Sequence, residues 1–149
     1  MKQRAPPQGR QLRTGRVSLA HQVYHVTCVT QARARIFTQH NAAAVAARGF
    51  YHPSLIPHAA TLAFVVMPDH IHWLLQLGQT ATLSDAVRRY KARVSLLLGQ
   101  RIWQRGFHDH ALRREEDLAS AARYIVANPL RAGLCGKIGD YPYWNAQWL

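Results

Sequence analysis

Two apolar runs in the middle of the chain decide the fold: Thr61–Met67, which reads TLAFVVM, and Ile71–Leu77, which reads IHWLLQL. Pro68 and Asp69 separate them. A Pro followed by an Asp is typical of a tight turn, so this stretch predicts a hairpin of two buried strands.

Strands and helices alternate on either side of this hairpin. The β-branched segment Val23–Thr30 predicts a strand, and the Ala-rich segment Thr38–Arg48, which stops at Gly49, predicts a helix. Downstream we predict a helix from the capping residue Thr82 to Gly99, a strand over Gly106–Arg113, and a helix from Glu115 to about Asn128, just before Pro129. This order indicates an α+β domain with an antiparallel sheet.

The composition fits one small domain with an affinity for polyanions. The 149 residues are 48% hydrophobic, which is enough for one core but excludes a large barrel enzyme, a two-domain cofactor protein and a disordered basic tail. The net charge is +12, and the segment before Asp69 contains no acidic residue. This balance favours nucleic acid as the partner over a merely solvated basic surface.

The sequence divides into a basic flexible arm over residues 1–16 and a single domain over residues 17–149. Cys28 and Cys135 are too few for a disulfide framework and are interpreted as reduced thiols of a cytoplasmic protein. No apolar run of about 18 residues is present, so we expect neither a membrane span nor a signal peptide.

Two groups of cations are candidates for DNA contact. The first group belongs to the arm and consists of Arg10, Arg13 and Arg16. The second lies on the helix that begins after Thr82, largely outside its apolar stripe, and consists of Arg88, Arg89, Lys91 and Arg93. The apolar stripe itself is formed by Leu83, Val87, Tyr90, Val94 and Leu97. A solvated helix face explains the second group equally well.

His70 and His72 open the second strand of the hairpin and share one face of it, because side chains alternate along a strand. At roughly 7 Å between their backbones, the two imidazoles can hold one metal ion. The spacing alone is weak evidence, and two hydrogen-bonded structural histidines are the competing interpretation. A histidine-triad nucleotide hydrolase would need a third His where this chain has Leu74, and a metal-dependent amidohydrolase barrel is excluded by length.

Tyr124 and Asn128 are four residues apart and therefore lie on one face of the last predicted helix. If that face covers the His pair, the Asn128 amide oxygen can give a third metal ligand, and the Tyr124 hydroxyl faces whatever the metal polarises. The alternative is a tyrosine at the edge of the core and an asparagine that caps the helix before Pro129.

Three ordered strings connect these residues to a known family. Met67–Trp73 (MPDHIHW), Trp103–Phe107 (WQRGF) and Arg123–Leu134 (RYIVANPLRAGL) resemble the single-tyrosine HUH transposases. Within that group the chain is most similar to the REP-associated tyrosine transposases. The resemblance extends from about Gly15 to Tyr143.

The resemblance implies a ferredoxin-like antiparallel sheet, with helices expected on one face. It implies that His70 and His72 bind Mg²⁺ or Mn²⁺, that Asn128 is the third ligand, and that Tyr124 is the nucleophile. Attack by Tyr124 on a DNA strand would leave a 5′-phosphotyrosine link, which a second 3′-hydroxyl can reverse. His110 matches a recurrent position of the family to which we assign no role.

The expected substrates are single-stranded DNA hairpins from repetitive extragenic palindromes (REP), and the expected state is a monomer or a homodimer. Two other functions compete: a non-catalytic DNA- or RNA-hairpin binder on the same scaffold, and a metal-dependent nuclease that uses water and leaves Tyr124 structural.

Overall fold

Five strands form one antiparallel sheet in the order β4-β1-β3-β2-β5. They are β1 (Val23–Val29), β2 (Ala59–Met67), β3 (His70–Leu77), β4 (His108–Leu112) and β5 (Trp144–Ala146). This is a computed structural model, and it describes residues 21–113 and 115–147, without the side chains of 115–117. The arm over residues 1–16, with Arg10, Arg13 and Arg16, lies outside the described residues.

The described helices are α1 (His40–Gly49), α2 (Leu83–Leu98), α3 (Glu115–Val126) and the short α4 (Asn128–Arg131). Single 3₁₀ turns occur at Gln31–Arg33, Ile36–Thr38 and Ile138–Asp140. The chain order β1-α1-β2-β3-α2-β4, with β4-β1-β3-β2 as neighbours in the sheet, is the ferredoxin-like arrangement. The predicted α+β class and antiparallel sheet are confirmed.

The two faces of the sheet carry separate cores. On one face Val26 and Trp73 pack with Ala43 of α1 and Tyr90 of α2. On the other face Val65 and Leu74 pack with Ala122, Ile125 and Val126 of α3. The expectation of helices on one face therefore holds for α1 and α2 only. The reason is the apolar hairpin, whose alternating side chains are apolar on both faces and need cover on both.

The ends of α2 match their sequence signals. The Thr82 side chain accepts a hydrogen bond from the Asp85 backbone N–H at 3.1 Å, and Gly99 closes the helix in the left-handed conformation with a φ of 71°. The predicted apolar stripe is buried except for Leu97, which is 53% exposed. Leu98 packs against the core in its place.

Two helix boundaries and one strand differ from the sequence prediction. Thr38 belongs to a 3₁₀ turn, and α1 begins at His40. The helix expected to run to about Asn128 ends at Val126, and Pro129 sits in the first turn of α4, where its missing N–H is tolerated. The strand β5, which pairs with the buried strand β2, was not predicted. No helix in the described part of the chain is long and apolar enough to cross a membrane.

Candidate active site

His70 and His72 lie at the start of β3 on the face that α3 covers, since Leu74 two residues further on packs with α3. Their ring centroids are 5.0 Å apart and the ring planes are nearly perpendicular, at 89°. The prediction that both imidazoles share one face is confirmed. Both side chains are half-buried, so the pair is accessible at the edge of a core.

The turn residue Asp69 orients the first imidazole. Its Oδ1 lies 2.7 Å from His70 Nδ1, which leaves Nε2 of His70 for a ligand. Partial burial acts to raise the pKa of Asp69, but hydrogen bonds from His70 and Arg33 outweigh it and lower that pKa. A carboxylate behind a ligating histidine fixes its tautomer and ring orientation.

Residues of β1 orient the second imidazole. His72 Nδ1 lies 3.1 Å from His25 Nε2 and 3.1 Å from Thr27 Oγ1, which leaves Nε2 of His72 for a ligand. Burial, followed by the nearby charges of His25, His70 and Arg131, lowers the pKa of His72 to about 3. His72 is therefore neutral at pH 7, the form that binds metals.

His110, which the sequence left without a role, lies beside this network. β4 pairs with β1 in a register that sets His110 opposite His25. Burial, and secondarily the charge of His110, lowers the pKa of His25 to about 4. His25 on β1 and His110 on β4 thus form, with His70 and His72 on β3, a group of imidazoles that spans three strands.

Tyr124 projects from the outer side of α3. The opposite side of that helix is anchored by Ala122, Ile125 and Val126, all fully buried. Tyr124 itself is 58% exposed, so it is not a tyrosine packed at the edge of the core. Because the opposite side of α3 packs in the core, the Tyr124 phenol is accessible to a large substrate.

Arg131 of α4 contacts both the ring and the backbone of Tyr124. The guanidinium carbon lies 3.8 Å from the centroid of the Tyr124 ring, and Nη2 donates to the Tyr124 carbonyl oxygen at 2.7 Å. The same guanidinium is close enough to His72 to disfavour its protonated form. Arg131 therefore contacts Tyr124 directly and acts on His72 through its charge.

Asn128 begins α4 one turn after Tyr124. Its amide nitrogen donates to the carbonyl oxygens of Ile125 at 3.0 Å and Tyr124 at 3.5 Å. These bonds fix the side chain and leave the amide oxygen, the atom that binds cations, for another partner. Within the described residues no hydrogen bond joins Asn128 to either histidine.

The side chains present fit a divalent cation with mixed nitrogen and oxygen ligands. Two imidazoles have their Nε2 atoms uncommitted, and both rings are held from behind by hydrogen bonds. No group of three His, Cys, Asp or Glu residues that could hold a metal occurs among the described residues. The expectation from the sequence that the Asn128 amide oxygen is the third ligand stays a prediction.

The cations predicted on α2 lie over the opposite face of the sheet, because α2 packs with the Trp73 side of β3. Arg88 and Arg89 both pair with Asp85, and the Lys91 ammonium donates to two backbone carbonyls. Arg93 is half-buried, and its Nε has no hydrogen-bond partner in the described structure. The structure does not bring this group to the His pair.

Sequence reasoning missed four residues of the site: His25, Thr27, Asp69 and Arg131. The alternation of His25 and Thr27 in a β-branched segment shows that they share a face, but only the register of β1 against β3 puts them behind His72. Arg131 comes after a helix break at Pro129, so helical spacing cannot relate it to Tyr124.

Comparisons with known proteins identify the family of the chain. A protein of Haemophilus influenzae is 31% identical, over 56% of this chain and 56% of its own length. A REP-associated tyrosine transposase of Escherichia coli is 33% identical, over 54% of this chain and 50% of its own length. The chain thus matches about half the length of these curated relatives.

A solved REP-associated tyrosine transposase, bound to a REP hairpin, superposes with a TM-score of 0.69 at 24% identity. The superposition covers 87% of this chain and 79% of the other, and at that identity it supports the fold. The model of the family described as IS200-like transposases matches residues 18–128, which include His70, His72, Tyr124 and Asn128. The chain therefore belongs to the IS200-like transposase family.

Proposed function

We propose that this chain cleaves and rejoins single-stranded DNA next to a hairpin through a covalent link to Tyr124. The observation that carries the proposal is the stacking of Arg131 on the exposed Tyr124 ring, with the same guanidinium near enough to His72 to act on it electrostatically. We infer that this phenol, this cation and the imidazoles of His70 and His72 lie around one position, where a phosphodiester can be held.

The reaction is a transesterification. The Tyr124 oxygen forms a bond to phosphorus while the bond from phosphorus to the 3′-oxygen breaks. The phenol proton passes to solvent, and the departing 3′-oxygen takes a proton to become a hydroxyl. The 5′-phosphotyrosine keeps the energy of the phosphodiester, so attack by a second 3′-hydroxyl releases Tyr124 and joins the strands without a nucleotide cofactor.

His70 and His72, through their Nε2 atoms, and Asn128, through its amide oxygen, are the proposed ligands of Mg²⁺ or Mn²⁺. When bound, the ion supplies Lewis-acid polarisation of the scissile phosphate. Imidazole ligands suit Mn²⁺ better than Mg²⁺, so we expect Mn²⁺ to support activity well. Asp69, His25 and Thr27 keep the two rings oriented, and Arg131 adds positive charge beside the nucleophile.

The proposed substrates are hairpins of REP-like palindromes with a single-stranded flank. The resemblance of the chain to REP-associated transposases and its net charge of +12 support this choice. Cys28 and Cys135 form no disulfide, which accords with the proposed cytoplasmic place of action. The protein is proposed to act as a monomer or a homodimer.

The experiment incubates the protein with a labelled hairpin oligonucleotide and Mn²⁺ and measures a protein–DNA adduct that survives denaturation. We expect an adduct with the wild type and none with Tyr124→Phe, which retains hairpin binding. Tyr141→Phe is the matched control, because that phenol donates to the Val66 carbonyl and its ring has no contact with Arg131 in the described structure. Cleavage that persists in Tyr124→Phe would favour a nuclease that uses water, and binding without cleavage would favour a hairpin-binding protein.

A further inference from the structure

A basic cavity lies on the other side of the sheet from His70 and His72. It has a volume of about 720 Å³, opens to solvent, and is bounded mainly by α2 and the loop over residues 101–107. Its cations are Arg88, Lys91, Arg101 and Arg105, and no carboxylate of a described residue lines its wall. A cavity of this size is typical of sites for small ligands or ligand segments.

The loop over residues 101–107 is firmly built onto α2. The Trp103 indole nitrogen donates to the Lys91 carbonyl at 3.1 Å, and the Lys91 ammonium donates to the carbonyls of Gln104 at 3.0 Å and Gly106 at 2.8 Å. Gly106 has a φ of 79°, which favours glycine. Lys91 therefore holds the loop that forms the wall of the cavity. The charges available to bind a ligand are those of the arginines.

Arg101 and Arg105 are the cations best placed to meet a ligand. Both are exposed, and neither forms an ion pair with a described residue. Arg88 shares its charge with Asp85. Guanidinium groups bind phosphate oxygens in pairs, and the half-buried Trp103 offers an aromatic surface beside them.

The cavity lies at the end of the sheet that carries the His pair. The Gln104 N–H donates to the Val29 carbonyl at 2.9 Å, so the loop is tied to the last residue of β1. Val29 is paired with His70 in the sheet. A strand of DNA bound at His70 therefore needs only to pass the end of the sheet to reach Arg101 and Arg105.

We propose that this cavity is a second binding site for the single-stranded flank of the DNA substrate, separate from the site of cleavage. Arg101 and Arg105 bind the phosphates of this flank, and an unpaired base stacks on Trp103 in the wall of the cavity. The proposal rests on the proposed function for the identity of the substrate. It does not rest on the chemistry, because binding to this cavity needs neither Tyr124 nor a metal.

The test measures the affinity of Tyr124→Phe protein for two fluorescent DNAs, a hairpin with a single-stranded flank and the same hairpin with blunt ends, over a range of salt concentrations. Adding Arg101→Gln and Arg105→Gln should weaken binding of the flanked hairpin roughly tenfold. It should also lower the salt slope of that affinity by about 1.4, the value for two phosphate contacts on a single strand. Binding of the blunt hairpin should not change.

The matched control replaces two exposed cations outside the cavity, Arg48→Gln and Lys137→Gln, and should affect the two DNAs alike. The proposal is overturned if the Arg101/Arg105 variant loses affinity for both hairpins equally, or binds the flanked hairpin as the control does. Either result is independent of whether Tyr124 forms an adduct, so failure here leaves the cleavage proposal standing. Thermal unfolding of each variant shows that the fold is intact.

Discussion

The guanidinium carbon of Arg131 lies 3.8 Å from the centroid of the Tyr124 ring, across the helix break at Pro129. A cation on a ring face is worth about 0.5–1 kcal/mol at an exposed site. The contact, with the hydrogen bond to the Tyr124 carbonyl, restricts a side chain that is otherwise open to solvent.

Replacing Arg131 should impair the nucleophile without unfolding the protein. We expect Arg131→Gln to slow adduct formation at saturating DNA by about 10- to 100-fold, because ring orientation and local positive charge are both lost. Arg131→Lys should recover part of the rate, since it restores the charge but not the planar stack. Single-turnover adduct kinetics check this.

Arg123→Gln is the control for Arg131, because that exposed arginine neighbours Tyr124 in sequence and has no contact with its ring in the described structure. A role of Arg131 in positioning would be contradicted by equal rates in Arg123→Gln and Arg131→Gln. It would also be contradicted if the loss appeared only in DNA affinity.

Asp69→Asn should weaken metal binding while leaving the two imidazoles in place. An amide holds the His70 ring less strongly than a carboxylate, and loss of such a partner typically costs 10- to 100-fold in metal affinity. We expect a correspondingly higher Mn²⁺ concentration for half-maximal adduct formation, with the rate restored at saturating Mn²⁺. His70→Ala should abolish cleavage at any Mn²⁺ concentration.

Arg33→Gln separates the two contacts of Asp69, because Arg33 pairs with its other oxygen at 3.3 Å. This variant should leave the Mn²⁺ dependence near that of the wild type. If Asp69→Asn needed the same Mn²⁺ concentration as the wild type for half-maximal adduct formation, the Asp69 carboxylate would not support His70 as a metal ligand.

The metal-free protein should lose stability in mild acid. The pKa values of His25 and His72 are lowered in the folded state to about 4 and about 3, whereas histidine in an unfolded chain titrates near 6.5. Below that pH the unfolded chain takes up protons that the folded chain does not. The free energy of unfolding therefore falls as the pH drops from about 6.5 toward 4, by up to about 1.4 kcal/mol per pH unit for each group.

Urea unfolding in the presence of a chelator measures this slope. His25→Gln should make the decline shallower, and His108→Gln, on an exposed position of β4, should not. An equally steep decline in His25→Gln would mean that other groups cause the acid sensitivity.

Gly78→Ala should destabilise the fold. A Cβ at this position would collide with the Pro57 carbonyl oxygen, which belongs to the backbone and cannot move aside like a flexible side chain. We expect a loss of about 1–3 kcal/mol in the free energy of unfolding, as for other overpacked sites. Gly139→Ala, where nothing lies within 4 Å, is the control and should change stability little. Equal unfolding midpoints for the two variants would contradict the clash.

The order of the elements was predictable because its signals are local. The apolar hairpin, the Thr82 cap and the proline after α3 each act over a few residues, and all appear as expected. The strand pair that brings His25 to His72 depends instead on register, which no local signal sets. The periodicity of α3 shows which side of the helix is apolar. It does not show which face of the sheet that side packs against.

The site was predictable only in part. Strand alternation puts His70 and His72 on one face, whereas the expected single helix carrying Tyr124 and Asn128 is divided into α3 and α4. The position of these two helices relative to the His pair depends on how they pack across β2 and β3, which is a tertiary property. The roles of Arg10, Arg13 and Arg16 in DNA contact stay predictions.

The turn between β2 and β3 is short and is fixed by hydrogen bonds. It has two residues, Pro68 and Asp69, and both are anchored: Phe37 N–H donates to the Pro68 carbonyl, and Thr30 donates to the Asp69 carbonyl through its N–H and its hydroxyl. One inserted residue would rotate His70 and His72 to the Trp73 side of the sheet, into the packed interior. The length of this turn therefore determines which face of the sheet presents the two imidazoles, as well as how the hairpin packs.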